Sequence, residues 1–188
     1  MGRNLLSLMF LLALVTGCSD KPCHTDPTTN FNKAIESLVK EKDNSRSLRL
    51  IENGLDVNYQ NSCGASMLHI ATIMGDEPLV NLLLSKSANP NVSNWQGETP
   101  VYMAAQWGED DILVKLLQAG AEPNSVAGEL AFSPLMIAAL NEHHSTVEIL
   151  VAHGAEPDYT NNEGVSAVSI AIENGNRELL AALETKTP

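Results

Sequence analysis

Three cysteines and five histidines are the residues of this 188-residue chain with the widest range of chemistry. Cysteine sulfur can carry an acyl chain, form a disulfide or act as a nucleophile, and imidazole can bind a metal ion or transfer a proton. The cysteines are Cys18, Cys23 and Cys63. Which chemistry applies to each depends on the residues around it.

The histidines do not form a metal-binding pattern. His143 and His144 are adjacent, and neighbouring residues of a helix point about 100° apart. No set of acids and histidines with ligand spacing surrounds these two residues or His153. We therefore expect no metal site and no cofactor.

The chain also has no recognisable catalytic motif. It lacks a G-x-S-x-G elbow, a Walker loop, an H-E-x-x-H pair and a nucleophile with an evident base. We expect no catalytic residue and predict that the protein is not an enzyme.

Cys18 follows a segment typical of an export signal. Arg3 precedes residues 5–15, which are almost wholly apolar but, at about 1.5 Å per residue, too short to span a bilayer. Residues 15–18, Val-Thr-Gly-Cys, resemble the lipobox of bacterial lipoproteins. The resemblance implies lipid on Cys18 and cleavage after residue 17, and Ser19 favours an outer-membrane anchor facing the periplasm. The alternatives are an ordinary signal peptide or a cytoplasmic protein with an apolar start.

Residues 18–29 are polar and contain two prolines, which predicts an extended tether after the lipid anchor. Cys23 lies in this tether, and Cys63 lies further along the chain. A compartment that permits disulfides would let them bridge, closing a loop of about 40 residues and contributing on the order of 3–4 kcal/mol. The alternative is two separate thiols.

A motif recurs every 33 or 34 residues. Residues 64–71 (GASMLHIA) return at 97–104, 131–138 and 164–171, and a second motif at 54–58 (GLDVN) keeps the same spacing. The extra residue of the 34-residue interval lies before Phe132. Both motifs resemble the ankyrin repeat.

The resemblance implies an all-α solenoid of about five helical hairpins joined by β-turn loops. The predicted organisation is a signal peptide (1–17), a tether (18–29), an N-terminal capping repeat (30–60), ankyrin repeats 1 to 3 (61–93, 94–126 and 127–160), and a fourth repeat that forms the C-terminal cap (161–188). Four hydroxyl residues are expected to cap the first helices, namely Ser66, Thr99, Ser133 and Ser166. Three glycines are expected to end the second helices, namely Gly54, Gly120 and Gly154.

In ankyrin proteins the ends of the first helices and the loop tips commonly bind protein. Both tryptophans and several other apolar residues occupy such positions here. The predicted binding patch consists of Ile73, Met74, Trp95, Trp107, Phe132 and Leu140. Its predicted acidic rim consists of Glu98, Glu109, Asp110, Glu129 and Glu163. The alternative is that Phe132 and Leu130 pack on the neighbouring repeat and the tryptophans fill gaps.

His69 matches the histidine of the family motif, which implies a structural hydrogen bond within the loop. The 23 acidic residues outnumber the 11 basic ones. This charge disfavours nucleic acid, and it disfavours membrane contact other than through the anchor. A protein with a basic or mixed surface is favoured as the partner. We expect a monomer when free, and either an immunity protein that neutralises a toxic effector, such as a type VI secretion phospholipase, or a periplasmic adaptor that docks an envelope enzyme.

Overall fold

The computed structural model describes residues 44–184. Cys18, Cys23, the predicted signal peptide and the predicted tether lie outside the described residues. Within that range the chain forms the following helices: α1 (Ser45–Glu52), α2 (Met67–Met74), α3 (Glu77–Ser85), α4 (Pro100–Trp107), α5 (Asp110–Gln118), α6 (Pro134–Leu140), α7 (His144–Ala152), α8 (Ala167–Glu173) and α9 (Arg177–Glu184). Turns join them, and β-structure in this range is limited to isolated bridges such as Ala127–Phe132. The predicted all-α repeat fold is confirmed.

The first helix of each hairpin begins directly after the predicted hydroxyl residue, which caps it. The Ser66 side chain accepts a hydrogen bond from the backbone N–H of His69, and Thr99, Ser133 and Ser166 each accept one from the third helical residue. Pro100 and Pro134 occupy the first helical position, where the absence of an N–H costs little. These bonds fix where each helix starts, so the loop tip before it has a defined exit direction.

A left-handed residue lies two positions after the end of the second helices α1, α3, α5 and α7. Gly54, Gly120 and Gly154 have φ values of 88°, 89° and 87°, as predicted from their motif. Ser87 occupies the equivalent position in repeat 1 and adopts φ 64° without the advantage of glycine. The repeat geometry therefore holds even where its usual residue is missing.

The chain divides into two compact units, one ending at Trp95 and one beginning at Gln96. In unit 1, α2 packs on α3. In unit 2 the first helices α4, α6 and α8 pack in sequence, and the second helices α5, α7 and α9 do the same. The core of each unit is aliphatic and fully buried, with Leu79 and Leu83 in unit 1 and Leu113 and Leu150 in unit 2.

Asparagines of the second motif link successive repeats. Asn58 Oδ1 accepts a hydrogen bond of 2.7 Å from the backbone N–H of Asn89. Asn124 Oδ1 accepts the equivalent bond of 3.0 Å from Glu156, and its Nδ2 donates to the Gly154 carbonyl at 3.0 Å. These bonds hold neighbouring loops in register, which is what a repeat surface needs to present fixed side chains.

No helix within residues 44–184 is long and apolar enough to cross a membrane.

Candidate protein-binding surface

The predicted patch residues of unit 1 differ widely in exposure. Ile73 is only 1 % exposed, because every residue of α2 from Met67 to Ile73 is buried. Met74, the last residue of α2, is half-buried. Ile73 therefore belongs to the core, and its assignment to the binding patch was wrong.

Trp95 is the open aromatic residue of the predicted patch in unit 1. It is 49 % exposed, and its backbone N–H donates to the Cys63 carbonyl at 3.2 Å. The backbone is thus held while the indole ring remains available to solvent. This is the arrangement that a contact residue requires.

The predicted patch residues of unit 2 also differ in exposure. Leu140, at the end of α6, is 50 % exposed. Trp107 is half-buried with its indole nitrogen buried, and Phe132 is half-buried and paired with Ala127. Leu140 is therefore the open apolar side chain of this group, whereas much of Trp107 contributes to the fold.

The predicted acidic rim is only partly a rim. Glu98 is 7 % exposed. The pKa of Tyr102 is raised to about 12, first by the burial of its phenol and second by the charge of Glu98. Asp110 accepts hydrogen bonds from Ser145 Oγ and from Thr146 Oγ1, the latter at 2.6 Å. Glu98 and Asp110 thus act within the fold.

The remaining acids of the predicted rim are more open. Glu129 and Glu163 are exposed at loop tips, and Glu109 is half-buried. Two of the five predicted rim residues are thus exposed.

Three histidines of residues 44–184 hold structural positions. His69 is fully buried, and its Nδ1 accepts a hydrogen bond of 3.1 Å from the Ser66 backbone N–H. His143 Nε2 lies 3.2 Å from the Gln106 carbonyl, and His153 Nδ1 lies 2.7 Å from the Ile149 carbonyl. Among residues 44–184, no three His, Cys, Asp or Glu side chains come together as metal ligands.

Cys63 is buried at a loop tip and is disulfide-bonded. Cys23 lies outside the described residues, so its pairing with Cys63 stays a prediction. Peptide mapping without reduction is the measurement that checks it.

Sequence reasoning named Leu130 as a loop-tip residue but left it out of the patch. Leu130 is 40 % exposed, and Val126 and Ile172 are 42 % and 62 % exposed. Ile172 replaces the alanine found at this position in repeats 2 and 3, and that substitution is visible in the sequence. Leu130 is marked by the 34-residue interval, which lengthens its loop.

Stacked helical hairpins with ordered loop tips define an all-α repeat protein that presents an interaction surface. The chain belongs to the ankyrin-repeat family: the family model described as ankyrin repeats (3 copies) matches residues 32–127 and 127–186. Ankyrin repeats mediate binding to other proteins, so this chain is a protein–protein interaction module.

Two ankyrin repeat proteins of Acanthamoeba polyphaga mimivirus are similar to the chain. One is 34 % identical over 85 residues, which cover 41 % of this chain and 15 % of the relative. The other is 26 % identical over 141 residues, which cover 75 % of this chain and 18 % of the relative.

The mouse receptor-interacting serine/threonine-protein kinase 4 is 33 % identical over 97 residues, covering 52 % of this chain and 12 % of the kinase. The chain thus spans less than a fifth of the length of each of these relatives. The likeness to the kinase lies in its ankyrin region, and the ankyrin family is generally non-catalytic.

Proposed function

We propose that this protein is a lipid-anchored, periplasm-facing ankyrin module that binds and neutralises a toxic effector with a basic surface. The anchor is inferred from the lipobox at residues 15–18. The disulfide at Cys63 supports an exported protein, because disulfides persist in oxidising compartments and are rare in the cytosol.

The charge of unit 2 carries the proposal. Residues 96–184 contain 14 acidic and two basic side chains, whereas residues 44–95 contain four acidic and three basic ones. Unit 2 also exposes large apolar side chains, among them Leu140 at 50 %. An acidic surface with open apolar residues favours a basic partner, since opposite potentials accelerate association and apolar anchors supply affinity.

Neutralisation of an effector suits the inferred setting. An effector that attacks membrane lipid, such as a phospholipase delivered by a type VI secretion system, acts at the membrane surface. A short tether holds the module at that surface and raises its effective concentration there.

The test is protection of cells from a candidate effector, such as a phospholipase delivered by a type VI secretion system. The effector is exported to the periplasm alone, with the wild-type protein, and with Cys18→Ala, which removes the inferred lipid site. We expect the wild-type protein to restore growth. Cys18→Ala should restore it less at equal protein level, because the module is no longer held at the membrane.

Direct binding separates the two parts of the proposal. Calorimetry with the purified effector should show a complex whose affinity falls as salt is raised. Killing that is unchanged by the wild-type protein would rule out inhibition of that effector. Binding without protection would instead favour an adaptor that docks an envelope enzyme.

A further inference from the structure

The loop tip of repeat 3, residues 127–132, is held by hydrogen bonds that differ from those in the tips of repeats 1 and 4. In repeats 1 and 4 an asparagine at the start of the tip organises the loop. Asn61 Oδ1 accepts from the backbone N–H of Cys63 and of Ala65, and Asn161 Oδ1 does the same for Glu163 and Val165. The tip of repeat 3 contains no asparagine and is one residue longer.

The segment from Tyr159 to Asn162, where repeat 3 passes into repeat 4, replaces the missing bonds. Three consecutive carbonyls of the tip accept hydrogen bonds from this segment. Asn162 Nδ2 donates to the Glu129 carbonyl at 2.8 Å, and the Asn162 backbone N–H donates to the Leu130 carbonyl at 3.2 Å. Tyr159 Oη donates to the Ala131 carbonyl at 3.1 Å. The longer loop is therefore held from outside.

The base of the tip is closed as well. Ala127 and Phe132 exchange two backbone hydrogen bonds of 2.9 Å, and Ala131 adopts φ 59°, a left-handed conformation that is unusual for alanine. The hydrogen bonds of the loop hold this residue in place. The backbone of the tip is thus rigid at the position where its side chains leave it.

Leu130 leaves this rigid tip toward solvent. Counting back from the N-cap serine of each repeat, its counterpart in repeat 1 is Cys63, which is 2 % exposed, whereas Leu130 is 40 % exposed. An apolar side chain held out on a preorganised loop loses little conformational freedom on binding, which is how a small anchor acquires affinity.

The acids around the tip indicate the kind of surface it meets. Glu129 precedes Leu130 and is exposed, and Glu163 follows Asn162 and is also exposed. Lys115 and Arg177 are the two basic residues in the sequence of residues 96–184, and neither lies in the tip or in the segment that holds it. A basic surface complements this arrangement.

We propose that Leu130 is the apolar anchor with which the repeat-3 tip enters a small pocket on a basic protein surface. The inference rests on the proposed function and adds the residue that makes the contact and the chemistry of the site that receives it.

The test uses the full-length chain and a random 12-residue peptide library displayed on phage as the probe. We expect the selected peptides to be rich in Lys and Arg and to bind Leu130→Asp at least tenfold more weakly. The matched control is Ile172→Asp, which adds the same charge in place of a more exposed apolar residue on α8 and should bind as the wild type does. Leu130→Ala gives the effect of the side chain without added charge.

A second variant tests the rigidity of the tip. Asn162→Ala with Tyr159→Phe keeps Leu130 but removes two of the three bonds that the tip carbonyls accept from residues 159–162. We expect binding to weaken several-fold while the helical circular-dichroism signal is kept.

The outcomes distinguish this inference from the proposed function. Basic peptides that bind Leu130→Asp as well as the wild type, or that are lost equally with Ile172→Asp, would overturn the role of Leu130 and leave the proposed function standing. Selection of neutral or acidic peptides would overturn the basic partner, and absence of any selected peptide would count against the proposed function as well.

Discussion

The indole of Trp95 lies against the backbone of Gly64. A Cβ atom at position 64 would be 3.2 Å from Cδ1 of the ring and 3.0 Å from Cα of Asn94. Gly64 has φ 74°, and the Trp95 backbone N–H is bonded to the neighbouring Cys63 carbonyl. The exposed tryptophan is therefore positioned by a close approach in which any side chain at position 64 would be crowded.

Gly64→Ala should lower the free energy of unfolding by about 2–3 kcal/mol, because it adds a strained φ and a crowded contact. The matched control is Gly164→Ala, at the same motif position with φ 76° and nothing within 4 Å of the added Cβ. We expect the control to lose about 1 kcal/mol, the cost of the backbone conformation alone. Urea denaturation of both variants measures the difference, and equal losses would show that the contact with Asn94 and Trp95 is unimportant.

Alkaline pH should reveal Tyr102. Its pKa is raised to about 12, first by burial and second by Glu98, so the folded state keeps the phenol neutral while the unfolded chain ionises near pH 10. The stability that this shift provides is complete below pH 10 and is lost as the pH rises from 10 to 12. The free energy of unfolding should have fallen by about 2 kcal/mol at pH 12.

Absorbance at 295 nm follows the ionisation of the three tyrosines. We expect one late component in the native protein, its disappearance in Tyr102→Phe, and its shift to lower pH in Glu98→Gln. Three tyrosines that ionise together near pH 10 while the helices persist would contradict the burial of this phenol.

The accuracy of sequence reasoning depends on whether a feature is local. Ser66 and Ser133 cap their helices through residues three positions away, and so the caps and the helix starts are readable from the motif. Ile73 is buried because its whole helix is enclosed, which depends on neighbouring elements that the motif does not show.

The tip of repeat 3 combines both cases. The 34-residue interval reveals an added residue near Leu130, which is a local fact. That Leu130 is held open depends on Asn162 and Tyr159, about 30 residues away in sequence. A contact between residues this far apart in sequence is not visible in the motif and is seen only in the structure.

Asp110 should be more important for stability than its neighbour. Both Asp110 and Asp111 lie in the first turn of α5, where a carboxylate favours the helix dipole. Only Asp110 accepts the hydroxyls of Ser145 and the fully buried Thr146. Asp110→Ala should cost about 1–3 kcal/mol, since it leaves Thr146 without this acceptor, whereas Asp111→Ala should change stability by less than about 0.5 kcal/mol. Thermal melts of the two variants at equal salt make the comparison, and it fails if both melt at the same temperature.

The two tryptophans should contribute differently to stability. Sequence reasoning places Trp95 and Trp107 together in the predicted patch as surface contacts, with gap-filling as the alternative for both. Because Trp107 is half-buried with its indole nitrogen buried, we now expect Trp107→Ala to leave a cavity and to cost about 2–4 kcal/mol.

Trp95→Ala removes a side chain that is 49 % exposed and should cost less than about 1 kcal/mol. Urea titrations followed by circular dichroism at 222 nm give both values without relying on tryptophan fluorescence. If the two substitutions cost the same, Trp107 is not part of the packed interior of unit 2. If the larger loss falls on Trp95, its ring has a structural role that its exposure does not suggest.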